Sequence, residues 1–174
     1  MELKTQRLLL RPLVSDDWKA VHEYASDVEN TRYMTFLPND TEEETRDFVA
    51  WAAGEWQKEK PETCEFAILL QGKLIGACSV AISEDRREGE LGWILNKRYW
   101  GQGYMTEAAL AVRNFAIREL GLMRLIATCD SRNQASWRVM EKLSFRLEKE
   151  YEGRVYPKTG EKACERLYSL TVSD

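Results

Sequence analysis

At 174 residues the chain suits one domain with one core, long enough to bury most of its apolar surface without disulfide or metal staples. Hydrophobic residues make up 44% and charged residues 31%, which excludes extensive disorder, and a formal net charge of −4 leaves no basic footprint for nucleic acid. Cys64, Cys78, Cys129 and Cys164 lie far apart and His22 is the lone histidine, so we expect reduced core thiols, no metal set, and, lacking a leader-like or membrane-spanning run, a cytoplasmic chain.

Leu8-Leu9-Leu10, between Arg7 and Arg11, reads as a short strand stopped by Pro12. Ser15 then caps a helix with Asp16 and Asp17 in its first turn and Trp18, Val21, His22 and Ala25 along one face. On that stripe His22 reads as a packed histidine more readily than as a general base. Tyr33 to Pro38 is aromatic and without period; it either lines a substrate pocket, with Tyr33 and Phe36 as contacts, or plugs a long connection. Thr41-x-x-Glu44 is a capping box for a second helix with the stripe Phe48, Ala52 and Trp56, and both Trp51 and Trp56 read as core.

After a polar break from Glu59 to Thr63 the period changes to that of strands. Cys64–Leu70 and Leu74–Ile82 form a hairpin turned at Gln71-Gly72. Beyond the charged loop Ser83 to Glu88, Leu91, Trp93 and Leu95 alternate with Glu90, Gly92 and Ile94 in a further strand. A helix follows with Met105, Ala109, Val112, Ala116 and Leu120 on one face and Gly121 as its C-cap. Leu125–Cys129 is a strand, Asp130 to Asn133 opens a helix carrying Ser136, Val139, Met140 and Leu143, and Phe145–Tyr151 and Glu165–Val172 close as two strands around a turn at Pro157 to Gly160. No repeat or linker divides the chain.

The stretch from Asn96 to Ala108, between a strand and a helix, is the informative one. Gly101 and Gly103 remove the Cβ atoms that would keep an anion from the backbone, and the helix starting near Tyr104 offers amides without intrahelical partners at its positive end. Lys97 and Arg98 add mobile positive charge. A pyrophosphate suits such a cradle. The spacing Arg98-x-x-Gly101-x-Gly103 has neither the Gly-Lys-Ser/Thr of a nucleoside triphosphate loop nor a full Gly-x-Gly-x-x-Gly.

This segment resembles the acyl-CoA signature of the GNAT superfamily of N-acyltransferases, and Trp100 with Tyr104-Met105-Thr106-Glu107-Ala108 looks like its Rim-type branch, the ribosomal-protein alanine N-acetyltransferases. A second family motif is matched by Asn133-Gln134-Ala135-Ser136 and Glu141-Lys142-Leu143-Ser144-Phe145. The element order is also that of the GNAT fold. It implies an α/β (α+β) domain over the whole chain, with a mixed, mostly antiparallel sheet of about seven strands and about four helices, the fourth and fifth strands splayed.

The resemblance implies an acetyl-CoA-dependent transfer to a primary amine, either a protein N-terminus or a small molecule. It places the pantetheine arm against Trp93, Ile94 and Leu95 and the pyrophosphate on Arg98, Tyr99, Trp100, Gly101, Gln102, Gly103, Tyr104 and Met105, with Thr106 near the helix start. Ser136 stands at the general-acid position, where a serine, having no useful acidity, bonds the sulfur or orders a water. Glu90 stands at the catalytic glutamate, and is either that base, close to the acceptor, or a carboxylate on a half-exposed strand. Asn133 is either a helix cap or a pantetheine contact as well. Ser144 replaces the usual glycine and would need a left-handed conformation or a changed turn. A catalytically degenerate acyl-CoA-binding or sensor protein is the alternative reading, a structural domain with a merely geometric glycine turn the next. Monomer and homodimer remain equally open.

Overall fold

A computed structural model describes residues 1–172. The elements are β1 (Leu3–Lys4), β2 (Leu8–Pro12), α1 (Trp18–Ala25), α2 (Glu42–Glu55), β3 (Thr63–Leu70), β4 (Lys73–Ile82), β5 (Glu88–Leu95), α3 (Tyr104–Arg118), β6 (Arg124–Asp130), α4 (Gln134–Lys142), β7 (Arg146–Val155) and β8 (Lys162–Thr171). The strands make one sheet in the order β1-β2-β3-β4-β5-β6-β8-β7, antiparallel throughout except for β5 beside β6. The eighth strand, beyond the seven expected, is the two-residue β1 folded back onto β2.

Strand alternation sends the two sides of the sheet into different cores. Phe66, Ile68, Val80, Leu91 and Leu125 face α3 and α4, where they meet Met105, Ala109, Val112, Phe115, Ala116 and Met140. Ala67, Leu69 and Leu74 face the other way, under α1 and α2, against Val21, Tyr24, Val49 and Ala52. On this second side, Glu90, Thr128, Glu165 and Leu167 remain exposed or half-buried, so β5, β6 and β8 form the floor of an open groove.

The local signals that held are those with a backbone reason. Gln71 and Gly72 have φ of 50° and 80°, as a tight two-residue hairpin needs. The Thr41 hydroxyl accepts from the Glu44 N–H at 3.2 Å, and Gly121 adopts φ 68° where α3 ends. His22 packs, its Nδ1 lying 2.8 Å from the Thr45 hydroxyl.

Others shifted. Ser15 does not cap α1: residues 15–17 form a 3-10 turn whose entry is held by Asp17, which accepts from the Val14 N–H at 3.0 Å while pairing with Arg11. The buried face of α2 is Thr45, Val49, Ala52 and Glu55, one position round from the expected stripe. Phe48 and Trp51 therefore stack on each other at the surface, with Trp51 49% exposed. Trp56 does pack against Phe66, and its Nε1 donates to the Glu65 carbonyl. Cys164 is half-buried, whereas Cys64, Cys78 and Cys129 are core.

Candidate active site

β5 and β6 pair at Glu88, Gly89 and Glu90 with Arg124, Leu125 and Ile126, and at no later residue. Past Glu90 the two strands diverge. A cleft of about 320 Å³ opens there, floored by Trp93, Ile94 and Leu95, walled on one side by Tyr99, Trp100, Gly101, Gly103, Tyr104, Met105 and Thr106 and on the other by Asn133 and by Ser136, Arg138, Val139 and Lys142 of α4, with Asn30 and Met34 at the rim.

The strand's own hydrogen bonds decide which backbone groups face this gap. Asn96 donates to the Ile75 carbonyl at 2.8 Å, and partners alternate in antiparallel pairs, so the polar groups of Ile94 and Gly92 turn toward β4. Those of Trp93 and Leu95 turn the other way, into the cleft. The Leu95 carbonyl is already taken by Trp100 Nε1 at 2.8 Å, which leaves the Trp93 N–H and C=O and the Leu95 N–H available. Ile94 can contribute its side chain but not its amide.

The backbone groups of the glycine-bearing turn divide in the same way into bonded and free. Lys97 N–H donates to Asn30 Oδ1 at 2.6 Å, Arg98 N–H to Asn96 Oδ1 at 3.1 Å, and the Tyr99 and Trp100 amides close a 3-10 turn onto Asn96 and Lys97. From Gly101 to Thr106, among the described residues, no acceptor engages an amide. Gly101 and Gly103 have φ of 74° and 79°, left-handed values that let two peptide units turn their N–H groups to one side before α3 begins. The N-terminus of α3 is fixed from behind by Glu107, which accepts from the Thr5 hydroxyl at 2.6 Å and from the Arg7 backbone and guanidinium.

Charge is distributed differently from the sequence expectation. Lys97 pairs with Asp27 and Glu29, and Arg98 pairs with Glu23, so both are engaged by carboxylates and neither lines the cleft. The cations that line it without a carboxylate partner among the described residues are Arg138 and Lys142 on α4. Asn30, 8% exposed at the rim, has a buried Nδ2 with no hydrogen-bond partner.

On the open groove, Glu90 accepts from the Thr128 hydroxyl at 2.9 Å. Beyond it runs a polar network. Tyr151 and Arg154 both donate to Glu165, and Arg154 also reaches the Tyr33 carbonyl and the Tyr156 hydroxyl. Tyr156 and Arg132 both donate to Asp130, whose carboxyl burial pushes up but these donors hold down at about 2. Ser136 sits at the start of α4, its N–H bonded to Asn133 Oδ1 at 3.2 Å, and its hydroxyl neighbours the Cys129 thiol, which burial pushes up to about 11. The Cys129 sulfur is therefore a neutral thiol near pH 7.

Residues 7–146 match the family model described as the acetyltransferase (GNAT) domain. The chain is a GNAT acetyltransferase. It is 34% identical to the uncharacterized N-acetyltransferase YnaD of Bacillus subtilis (strain 168), over 98% of this chain and 96% of that one. Among solved structures, a GNAT-family acetyltransferase from Bacillus anthracis shares 34% identity with a TM-score of 0.85, covering 98% of each chain. RimL, a ribosomal L7/L12 alpha-N-protein acetyltransferase solved in complex with coenzyme A, superposes with a TM-score of 0.87 at 21% identity over 99% of this chain and 98% of that one.

The acetyltransferase uses acetyl-CoA to acylate an amine, and a non-catalytic acyl-CoA sensor is not favoured by these relatives. Its cleft has the chemistry the donor requires: among the described residues, a row of unengaged amides for a diphosphate, two strand residues with free backbone groups for an amide-bearing arm, and two cations without a carboxylate partner. Of the residues expected at the site, Trp93, Ile94, Leu95, Tyr99, Trp100, Gly101, Gly103, Tyr104, Met105, Thr106, Asn133 and Ser136 converge on the cleft. Arg98 and Gln102 lie outside its lining. Glu90 and Tyr33 belong to the groove, and Phe36 is 78% exposed and outside the cleft lining. Asn30, Met34, Arg138 and Lys142 were not signalled: only the folded chain brings the loop after α1 and the outer turn of α4 to the same gap.

Proposed function

We propose that the acceptor is a primary amine entering along the groove over β5, β6 and β8 and meeting the donor at the divergence of β5 and β6. The observation that carries this reading is the run of six unengaged amides among the described residues, Gly101 to Thr106, beside a sheet gap next to which the Glu90 carboxylate stands exposed on the groove floor. Bound there, the acetyl thioester supplies an activated acyl carbonyl; everything else is supplied by the chain. The amides of Gly101 to Thr106 hold the diphosphate, with Arg138 and Lys142 adding charge. Trp93 and Leu95 offer the backbone pairing for the pantetheine arm, and Asn133 and Asn30 stand where their amides can complete it. Ser136 lies near the sulfur, where its hydroxyl donates to the leaving group or orders a water. Glu90, exposed on the groove floor, attracts the ammonium and assists its deprotonation. Holding amine and carbonyl together contributes most of the rate, since a thiolate leaves readily.

The groove's chemistry fits either a protein N-terminus or a small polyamine, both cationic. Incubating the purified protein with acetyl-CoA and either spermidine or a serine-initiated peptide, and following thiol release, tests the proposal. Turnover with at least one is expected, and Glu90→Gln should lower kcat on the order of 100-fold with CoA affinity unchanged. CoA binding without turnover on any amine would refute it.

A further inference from the structure

Two strands from the cleft lies a carboxylate that the mechanism above does not use. Glu65 on β3 points to the groove side of the sheet, is 9% exposed, and has no cation within ion-pair distance among the described residues. Its main-chain carbonyl is occupied by Leu13 N–H and Trp56 Nε1, and its carboxylate has the Ser79 hydroxyl as side-chain partner. The groups around it are Tyr24 from α1, whose phenol is also raised by burial and by Glu65, and Ser79 and Cys78 from β4; Asp17, near Tyr24, is neutralised by Arg11. Burial pushes the Glu65 carboxyl up to about 7, against the opposing hydrogen bond from Ser79. A carboxylate so poised, with a hydroxyl partner but no counter-ion among the described residues, is costly to keep.

The register shows where it leads. Glu65 stands opposite Ser79, and Ser79 opposite Gly92, two residues along β5 from Glu90 on the same side. Neighbouring strands are about 4.8 Å apart, so one side chain spans each step. Gly92 has none: a Cβ there would come within 3.1 Å of the Ser79 hydroxyl. The missing side chain leaves that hydroxyl uncovered at the edge of the groove, between the reacting region and Glu65.

We propose that Glu65 is the terminal proton acceptor for the incoming ammonium, reached through the Ser79 hydroxyl, so that the acetyltransferase is built for amines that arrive protonated. This rests on the acetyl-transfer reading above. The ammonium gives one proton to Ser79 Oγ as Ser79 gives its own to Glu65. The freed nitrogen pair forms the C–N bond and the C–S bond breaks, its electrons leaving on sulfur. A second nitrogen proton passes to that sulfur, yielding amide and free thiol, and Glu65 returns its proton to solvent.

The test compares spermidine and the serine-initiated peptide, which are protonated at neutral pH, with hydroxylamine, which is not. In the wild type kcat/KM for the protonated acceptor should rise with pH through about 7, because the ionised carboxylate is the competent form. Glu65→Gln should remove that limb and lower kcat on the order of 100-fold with little change in KM, yet leave hydroxylamine acetylation within about threefold. Ser79→Ala, which keeps the carboxylate, should reproduce the kinetic loss. Independently of turnover, carbon NMR of glutamate-labelled apo protein should show one carboxyl titrating near neutrality that is absent in Glu65→Gln. Wild-type-like rates and pH profile in both variants, or equal losses with hydroxylamine, would overturn the relay alone. A wild type inactive with all three nucleophiles would overturn the acetyl-transfer reading beneath it.

Discussion

Ser144 shows how much one residue's conformation can carry. It follows α4 with φ 67°, in the left-handed position that ends a helix, and the Phe145 N–H closes onto the Met140 carbonyl across it. The chain keeps the turn a glycine would make and accepts the Cβ strain, so the sequence departure altered cost and not geometry. Ser144→Gly should therefore stabilise by about 1 kcal/mol, raising Tm by about 3 °C in a calorimetric scan, with CoA affinity unchanged. Glu65 is the opposite case. Nothing in Cys64-Glu65-Phe66 distinguishes it from an ordinary strand carboxylate, because its burial is created by α1 packing from elsewhere in the sequence.

At the scale of elements, the periodic signals located helices and strands well but fixed helix faces less securely. α2 turned one residue because Val49 and Thr45 fit against α1 and β3, which pushed Phe48 and Trp51 outward. The cradle was legible because its logic is local: two glycines at positive φ followed by a helix start expose amides whatever the rest of the chain does. Gly103→Val should accordingly lower CoA affinity more than tenfold by calorimetry, through loss of the left-handed conformation, since its Cβ would meet nothing nearer than Arg7 at 3.5 Å. Gly121→Ala, at the far end of α3 with φ 68°, should cost stability and leave CoA affinity as it is.

For the molecule as a whole, Asp130 is the joint between parts distant in sequence. It ends β6, receives Arg132 from the start of the α4 segment, and through Tyr156 and Arg154 connects the β7–β8 hairpin to the Tyr33 loop. Its folded carboxyl titrates at about 2, below the ordinary 3.8, so its contribution is present at neutral pH and is lost as pH falls from about 4 through 2. Asp130→Asn should cost roughly 3 kcal/mol near pH 7, measured by urea unfolding, and flatten the acid limb of stability.

The sequence by itself determined the element order, the family and the phosphate cradle, all of which depend on neighbours within a few residues. The tertiary structure alone decided which side of β5 each backbone group faces, that Lys97 and Arg98 are spent on carboxylates, that Arg138, Lys142 and Asn30 reach the cleft, and that Glu65 is buried without a counter-ion among the described residues. The physical reason is range: caps, turns and periods are settled by short-range sterics and hydrogen bonds, whereas burial and ion pairing depend on which distant segments the sheet brings together.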